Sequence, residues 1–177
     1  MSCTACELHQ YRTQVVPGHG NIEARIAYIG EAPGAVEDRE GKPFLGPAGQ
    51  HLRKLTAIVG LDPNDIWWDN VLNCRPPNNN FRGYPDSVVK CPKLWLLPIL
   101  DSLPNLRVIV VFGANAGGAT WFPGKKAGEM ANLARVLPDG KIVVGSYHPS
   151  YAIRGVAGID DSIKQSLARA FSYAYLR

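Results

Sequence analysis

The sequence predicts an α/β protein, a three-layer α/β/α sandwich whose central sheet has four parallel strands. Four short apolar runs, each bounded by Gly, Pro, Asn or Asp, recur along the chain and are separated by stretches with helical spacing. Strands that alternate with helices in this way form parallel sheets covered on both faces. The length of 177 residues fits one domain, so we expect a single unit over residues 1–177.

The expected elements follow from the apolar spacing and from Gly and Pro positions. Runs rich in Val, Ile and aromatic residues predict strands at 25–29, 66–72, 106–112 and 141–146. Helical spacing predicts helices at 48–59, at 87–103 with interruptions at two prolines, at 114–121 and at 162–176. Ligands bind beyond the carboxyl ends of such strands. The loops GEAPG, NCRPPNNN, GANAGG and YHPS should therefore meet at one edge of the sheet.

Composition and charge limit the classes of protein to which this chain can belong, but they do not indicate one function. No run of about 18 apolar residues occurs and the N-terminus lacks the pattern of a signal peptide, so we expect a cytoplasmic protein without membrane contact. The net charge of +4 permits a polyanionic partner but does not require one. We expect a monomer.

The four cysteines predict a metal site. Cys3 and Cys6 form a C-x-x-C pair, whereas Cys74 and Cys91 stand alone. Without a leader peptide, four thiols favour metal binding over disulfides. Zinc sites often use two close pairs, and only one pair is close here. Cys91 also precedes a proline, as in cluster-binding runs, so the pattern favours a [4Fe–4S] cluster, with zinc as the alternative.

The loop after the first strand, GEAPGAVEDREGKPFLGPAG, allows several interpretations. Its glycines could cradle a phosphate, or could supply positive φ at an ordinary turn. Because the loop matches neither common nucleotide motif, we expect no nucleotide cofactor. Phe44 is either a residue at the edge of the core or a stacking platform for a base. Glu31 and Glu37 are either solvated acids or groups that orient a water.

Asn70 and His148 follow two other predicted strands. Asn70 either caps backbone groups or presents an amide donor and acceptor to a pyrimidine edge. His148, held before a proline, is either structural or a hydrogen-bond donor to developing negative charge. Tyr151, Ile153 and Arg154 would then lie at the mouth of the same pocket, where they can contact a nucleic-acid strand.

Taken together, GEAPGAVEDREGKPFLGPAG, NVLNCRPPNN, YHPSYAIR and the four cysteines closely resemble the iron–sulfur uracil-DNA glycosylases, called family 4, over nearly the whole chain. The resemblance implies the uracil-DNA glycosylase fold and hydrolysis of the N-glycosidic bond of deoxyuridine in single- or double-stranded DNA. It implies an abasic product in base-excision repair and uracil-containing DNA as the partner. A [4Fe–4S] cluster on Cys3, Cys6, Cys74 and Cys91 is part of the same resemblance.

The resemblance also implies roles for individual residues. Phe44 would stack on the flipped uracil, Asn70 would pair with its O4 and N3–H, and His148 would hydrogen-bond O2. The backbone at Ala32 would line the base pocket. Independently of the resemblance, the expected DNA-contact residues are Ser150, Tyr151 and Arg154, which follow His148 in the same motif.

Water activation departs from the better-known relatives, because Ala32 stands where they carry an aspartate. Glu37 is the first candidate for this task, Glu31 the second, and a mechanism without either stays open. No K-R-R-I-H-like insertion occurs, so covalent trapping of DNA is not expected. The competing functions are an iron–sulfur redox protein and a metal-stabilised nucleic-acid-binding module without catalysis.

Overall fold

Six strands form one mixed sheet in the computed structural model, which describes residues 2–176. They are β1 His19–Gly20, β2 Ile26–Gly30, β3 Ile66–Asn70, β4 Val108–Phe112, β5 Ala134–Val136 and β6 Ile142–Ser146. Their order across the sheet is β1-β3-β2-β4-β6-β5. The neighbouring strands β3, β2, β4 and β6 run parallel, which confirms the four predicted strands with ends shifted by at most two residues.

The two outer strands were not predicted. β1 pairs with β3 and β5 pairs with β6, both antiparallel. Both outer strands are exposed along their length and are two and three residues long. Strands this short at a sheet edge carry no apolar run, so hydrophobic patterning cannot detect them.

Alternate side chains of the inner strands enter two separate cores. On β4, Val108, Val110 and Phe112 pack into one core, while Ile109 and Val111 pack into the other. This alternation follows from the two-residue repeat of a strand. Because both faces are covered, β4 reads as a continuous apolar run.

Eight α-helices complete the described layers. They are α1 Ala35–Glu40, α2 Pro47–Ile58, α3 Pro85–Cys91, α4 Leu97–Ser102, α5 Ala114–Ala119, α6 Ala127–Met130, α7 Pro149–Ile153 and α8 Ile159–Tyr175. Buried residues of α2 and α8 pack in the core that contains Phe112. Buried residues of α3, α4, α5 and α6 pack in the opposite core. The structure is therefore the predicted α/β/α arrangement.

The predicted helix at 87–103 is divided into three pieces. α3 ends at Cys91, a π-helical turn occupies Pro92–Leu96, and α4 follows. Pro92 has no N–H to donate and its ring displaces the carbonyl one turn earlier, which widens the helix locally. Over residues 2–176, none of the helices combines the length and apolar character needed to cross a membrane.

Candidate active site

A cavity of about 540 Å³ opens at the edge of the sheet where the parallel strands end. Each inner strand contributes to its wall: Glu31 follows β2, Asn70 ends β3, Asn115 lies in α5 directly after β4, and His148 follows β6. The four loops therefore meet at one edge, as the sequence predicts.

All the residues considered for catalysis, base binding and DNA contact line this cavity: Glu31, Ala32, Glu37, Phe44, Asn70, His148, Ser150, Tyr151 and Arg154. The cavity is also lined by residues that were not singled out from the sequence, among them Asn79, Phe81 and Asn115. Asn115 lies in GANAGG, which was placed at this edge as a loop, but nothing in that stretch distinguishes its amide from a helix-capping side chain.

Phe44, Asn70 and Gly30 are in close contact on one side of the cavity. The Phe44 ring packs against the rings of Trp68 and Phe112, with centroid distances of 5.3 and 6.3 Å. Phe44 has φ of 58°, a conformation that costs a non-glycine residue free energy and is held here by its surroundings. Phe44 thus belongs both to the core edge and to the cavity wall, so the two interpretations of this residue are compatible.

Gly30 is needed because it leaves room for both neighbours. A Cβ at this position would lie 2.5 Å from Asn70 Oδ1 and 2.8 Å from Phe44 Cζ. Of the two interpretations of the glycines in this loop, positive φ at a turn does not apply to Gly30 or Gly34, since the positive-φ glycine of this loop is Gly41. Glycine is required at position 30 because the side chains of Asn70 and Phe44 approach its backbone closely.

Gly30→Ala should therefore impair the site more than the fold. The added methyl group has to displace the Asn70 amide and the Phe44 ring, so we expect the catalytic rate to fall at least tenfold. Gly60→Ala is the control for stability, because Gly60 has positive φ and open space around it. Rates and melting temperatures of both variants test this expectation. A Gly30→Ala protein with unchanged activity would contradict it.

Asn70 is 4% exposed and borders the cavity. Its backbone N–H donates to Asp69 Oδ1 at 2.8 Å. Among the described residues, no hydrogen bond occupies its side-chain amide. The amide therefore retains one acceptor and one donor for a group inside the cavity.

Asp69 is buried behind Asn70. Besides the Asn70 N–H, its carboxylate accepts a hydrogen bond from Trp67 Nε1 at 3.4 Å. Burial raises the pKa of Asp69 to about 7, although both hydrogen bonds lower it. Because the pKa is higher in the folded than in the unfolded protein, the native state binds the additional proton between pH 4 and 7.

Ionisation of Asp69 should thus lower the free energy of unfolding as the pH rises. Its contribution to stability is fully present below the unfolded pKa of 3.8 and is lost as the pH passes through about 7, a change of about 4 kcal/mol. Asp69→Asn should flatten this part of the pH dependence. Denaturant unfolding between pH 4 and 8.5 measures it. Parallel pH profiles for the two proteins would refute the assignment.

His148 has a defined tautomer. The Ser150 backbone N–H donates to Nδ1 at 3.2 Å, and Ser150 Oγ lies 2.8 Å from the same atom. Nδ1 therefore carries the lone pair, and in the neutral ring the proton is on Nε2. Burial, helped by the charge of Arg154, lowers the pKa of His148 to about 4. At neutral pH this side chain is an uncharged N–H donor.

Ser150 connects His148 with Arg154 at the mouth of the cavity. Arg154 Nη2 donates to Ser150 Oγ at 3.3 Å, and the guanidinium lies 5.3 Å from the centroid of the Tyr151 ring. Tyr151 is 41% exposed. Ser150 thus holds the imidazole inside the cavity, whereas Tyr151 and Arg154 are accessible to a large ligand outside it.

Among the described residues, only one oxygen of the Glu31 carboxylate accepts a hydrogen bond. Asn115 Nδ2 donates to Glu31 Oε2 at 3.1 Å, and Arg82 Nε donates to Asn115 Oδ1 at 2.8 Å. Burial raises the pKa of Glu31, while the hydrogen bond from Asn115 and the charges of Arg82 and Arg154 oppose that rise. A carboxylate with raised pKa and one oxygen left for a ligand is suited to accept a proton.

Glu37 is held from two sides. Its Oε2 accepts from the Gly34 N–H at 3.0 Å and its Oε1 accepts from the Gly46 N–H at 2.7 Å. The carboxylate therefore connects the two ends of the loop that carries Phe44. Both oxygens already accept hydrogen bonds, which favours a structural task for Glu37 over the orientation of water.

The four cysteines lie in one region of the core between α3 and the N-terminal segment. Cys74 and Cys91 are buried, and Cys3 and Cys6 pack against the same core. Among residues 2–176, no group of three or more His, Cys, Asp or Glu side chains is positioned to hold a metal ion. A cluster spreads its ligands over several iron atoms, so its thiols need not converge as closely as around one zinc ion.

The groups around these thiols are hydrogen-bond donors, which suits a bound group rich in hydrogen-bond acceptors. Arg12 Nη1 donates to Cys74 Sγ at 3.3 Å, and the Asn73 N–H donates to Cys91 Sγ at 3.4 Å. The Ser87 hydroxyl, one helical turn before Cys91, is buried without a partner among the described residues. Such donors stabilise thiolate and sulfide sulfur. The residues present therefore fit an iron–sulfur cluster.

Fold and site together define a class: an α/β protein with an open, mostly parallel sheet and, at its carboxyl edge, a pocket suited to a planar hydrogen-bonding ligand. The model of the uracil DNA glycosylase superfamily matches residues 17–171. The chain belongs to this superfamily.

Curated relatives carry more specific names. The chain is 40% identical to a type-4 uracil-DNA glycosylase of Thermotoga maritima, over 86% of this chain and 78% of the relative. It is 45% identical to one of Archaeoglobus fulgidus, over 64% of this chain and 55% of the relative. A type-5 uracil-DNA glycosylase of Thermus thermophilus is 34% identical, over 79% of this chain and 71% of the relative.

Proposed function

We propose that this protein is a monofunctional uracil-DNA glycosylase that hydrolyses the N-glycosidic bond of deoxyuridine in DNA and leaves an abasic site. The observation that carries the proposal is the joint placement of an unoccupied Asn70 amide, a neutral His148 N–H donor and the Phe44 ring in one cavity. The similarity to enzymes named uracil-DNA glycosylase supports it. We further propose that residues 1–177 act as one monomeric domain.

Base recognition follows from the donors and acceptors of uracil. The Asn70 amide accepts from N3–H and donates to O4, whereas cytosine presents the reverse pattern and would leave buried groups unpaired. Phe44 supplies an apolar surface on which the extruded base stacks. Ala32, directly after Glu31, supplies backbone to the same wall.

Bond breaking depends on stabilising the leaving base. The C1′–N1 bond breaks with its electron pair on uracil, and the negative charge that develops at O2 accepts a hydrogen bond from His148 Nε2–H. Because this imidazole is neutral, it stabilises the anion without having to transfer a proton. The oxygen of a water then bonds to C1′, and Glu31 accepts the proton of that water.

The two glutamates should respond differently to substitution. Glu31→Gln keeps the shape of the side chain and the hydrogen bond from Asn115, but it removes the carboxylate that accepts the proton of the water. We therefore expect uracil release to slow about 10²-fold with little change in melting temperature. Glu37→Ala removes two hydrogen bonds to a carboxylate and should lower the free energy of unfolding by about 2–4 kcal/mol. Single-turnover rates and denaturant unfolding separate these effects. The reverse assignment would appear as a stability loss in Glu31→Gln and a purely catalytic loss in Glu37→Ala.

We propose that Cys3, Cys6, Cys74 and Cys91 hold a [4Fe–4S] cluster that fixes the N-terminal segment to α3. Burial raises the pKa of the Cys91 thiol to about 12, so its conversion to a thiolate requires the positive charge of the bound group. When bound, the cluster supplies a structural cross-link. Elemental analysis with the visible spectrum tests this: iron, sulfide and a brown colour support it, while a colourless zinc protein would reject it.

The decisive test of the function is uracil release. A single-stranded oligonucleotide with one uracil is incubated with cluster-replete protein and then heated in alkali, which cleaves at abasic sites. Cleavage at the uracil position, with an intact strand before heating, is expected. A strand that stays intact after heating would refute the glycosylase and leave the redox and binding functions. Repetition with a duplex gives the strand preference.

A further inference from the structure

A second cavity, of about 810 Å³, lies beside the pocket described above. Phe81, Asn115 and Tyr151 line both cavities and form the wall between them. The second cavity, here called the flanking groove, is bounded by Arg82, by α3, by α5 and by residues 124–127. Neither base recognition nor bond breaking, as derived above, uses it.

The flanking groove combines an apolar surface with positive charge. Val88 and Val89 of α3 and Ala119 of α5 supply the apolar part. Its charged lining residues are Arg82, Lys125 and Lys126, and none of its described lining residues is an aspartate or glutamate. Lys125 and Lys126 are exposed. Single-strand binding grooves combine cations for phosphates with apolar, chiefly aromatic, surface for bases, and Phe81 and Tyr151 of the shared wall supply the aromatic part here.

We propose that the flanking groove binds the DNA strand next to the flipped deoxyuridine, an inference that rests on the proposed function. A strand that places one base in the pocket must continue across its rim, and Tyr151 stands exposed on the shared wall. The groove is the adjoining concave surface with charge complementary to phosphate. Lys125 and Lys126 contact phosphates, and the neighbouring bases lie on Val88 and Ala119.

Arg82 links the groove to the base pocket. Its side chain donates to Asn115, which in turn donates to Glu31. Phosphate in the groove would therefore lie close to the network that holds the Glu31 carboxylate. Because Arg82 serves both sites, it is not suited to test the groove by itself, and the two lysines are the better choice.

The first experiment measures affinity as a function of salt concentration. The ligand is a single strand containing 2′-fluoro-2′-deoxyuridine, which resists cleavage, so binding is measured without catalysis. For the double variant Lys125→Gln, Lys126→Gln we expect the slope of log K against log salt to fall by about 1.4, and affinity at low salt to fall roughly tenfold. Arg25→Gln, Arg107→Gln is the charge-matched control, since both residues are exposed at the opposite edge of the sheet.

The second experiment blocks the groove. Gly118 lies in α5 and lines the groove, and a Cβ added there would have no heavy atom within 4 Å, so a larger side chain can project into the open space. Gly118→Leu should weaken binding of a long strand, whereas Gly118→Ala should not. Trimming the strand on one side of the uracil nucleotide should weaken wild-type binding and have little further effect on Gly118→Leu.

The outcomes separate this inference from the proposed function. If the wild type releases uracil but the lysine variant, the Gly118→Leu variant and the trimmed strands behave like their controls, the flanking groove does not bind DNA. If no uracil is released from any strand, the glycosylase proposal fails, while the salt slopes still decide whether DNA occupies the groove. If the groove binds a peptide and the lysine and Gly118→Leu substitutions leave DNA affinity unchanged, the inference that the flanking groove binds DNA is also overturned.

Discussion

His148→Ala should slow uracil release about 10²–10³-fold, the cost of losing one donor to developing negative charge. The loss should appear in the single-turnover rate and far less in substrate binding, because the charge on O2 develops in the transition state. His19→Ala is the control, since His19 does not line the cavity. An unchanged rate in His148→Ala would exclude this imidazole from the chemistry.

The protonation state of His148 gives this expectation a second measurement. Imidazole NMR should find the Nε2–H tautomer from pH 6 to 8 and titration near pH 4, because burial lowers its pKa and Ser150 donates to Nδ1. Ser150→Ala removes the hydroxyl and keeps the backbone donor, so it should reduce the rate less than His148→Ala. A His148 that titrates near its ordinary value of 6.5 would contradict the neutral-donor mechanism.

Asn70→Ala should slow uracil release about 10²-fold, since two hydrogen bonds to the base edge are lost and the buried polar groups of the base stay unpaired. Asn70→Asp is more diagnostic. An ionised carboxylate accepts but cannot donate, so it opposes uracil O4 and matches the N4 amino group of cytosine. We expect its preference to move from uracil toward cytosine, measured as the ratio of release rates from matched strands.

Folding controls decide how the Asn70 result is interpreted. The side chain is buried, so either substitution will change the melting temperature to some extent. Base recognition requires that the rate fall much further than stability and that Asn70→Asp alter the base preference. If both variants lose rate only in proportion to folded protein, Asn70 has a capping role and the proposed recognition of uracil is wrong.

The strands, the edge of the sheet that carries the site and most lining residues could be predicted because they depend on local pattern. A buried parallel strand such as β4 reads as a continuous apolar run, and the loop after it must lie at the carboxyl edge. The shortest helices were not predicted, for the same reason. α7, with five residues, and α6, with four, have no measurable helical period.

The hydrogen bonds that distinguish Glu31 from Glu37 depend on the folded structure and could not be predicted from the sequence. From sequence, Glu37 ranked slightly above Glu31. Gly34 and Gly46, which occupy both oxygens of Glu37, lie three and nine residues away, and only the folded loop brings their N–H groups to it. Asn115 reaches Glu31 across 84 residues.

The sequence by itself determined the layered α/β class, the resemblance to the iron–sulfur glycosylases and most of the loops that line the cavity, because apolar periodicity and short motifs are local properties. The tertiary structure decided the tautomer of His148, the burial of Asp69, the contacts of the two glutamates and the flanking groove beside the pocket. These depend on burial and on distances between segments far apart in the chain. Electrostatics and cavity shape arise only when those segments pack together.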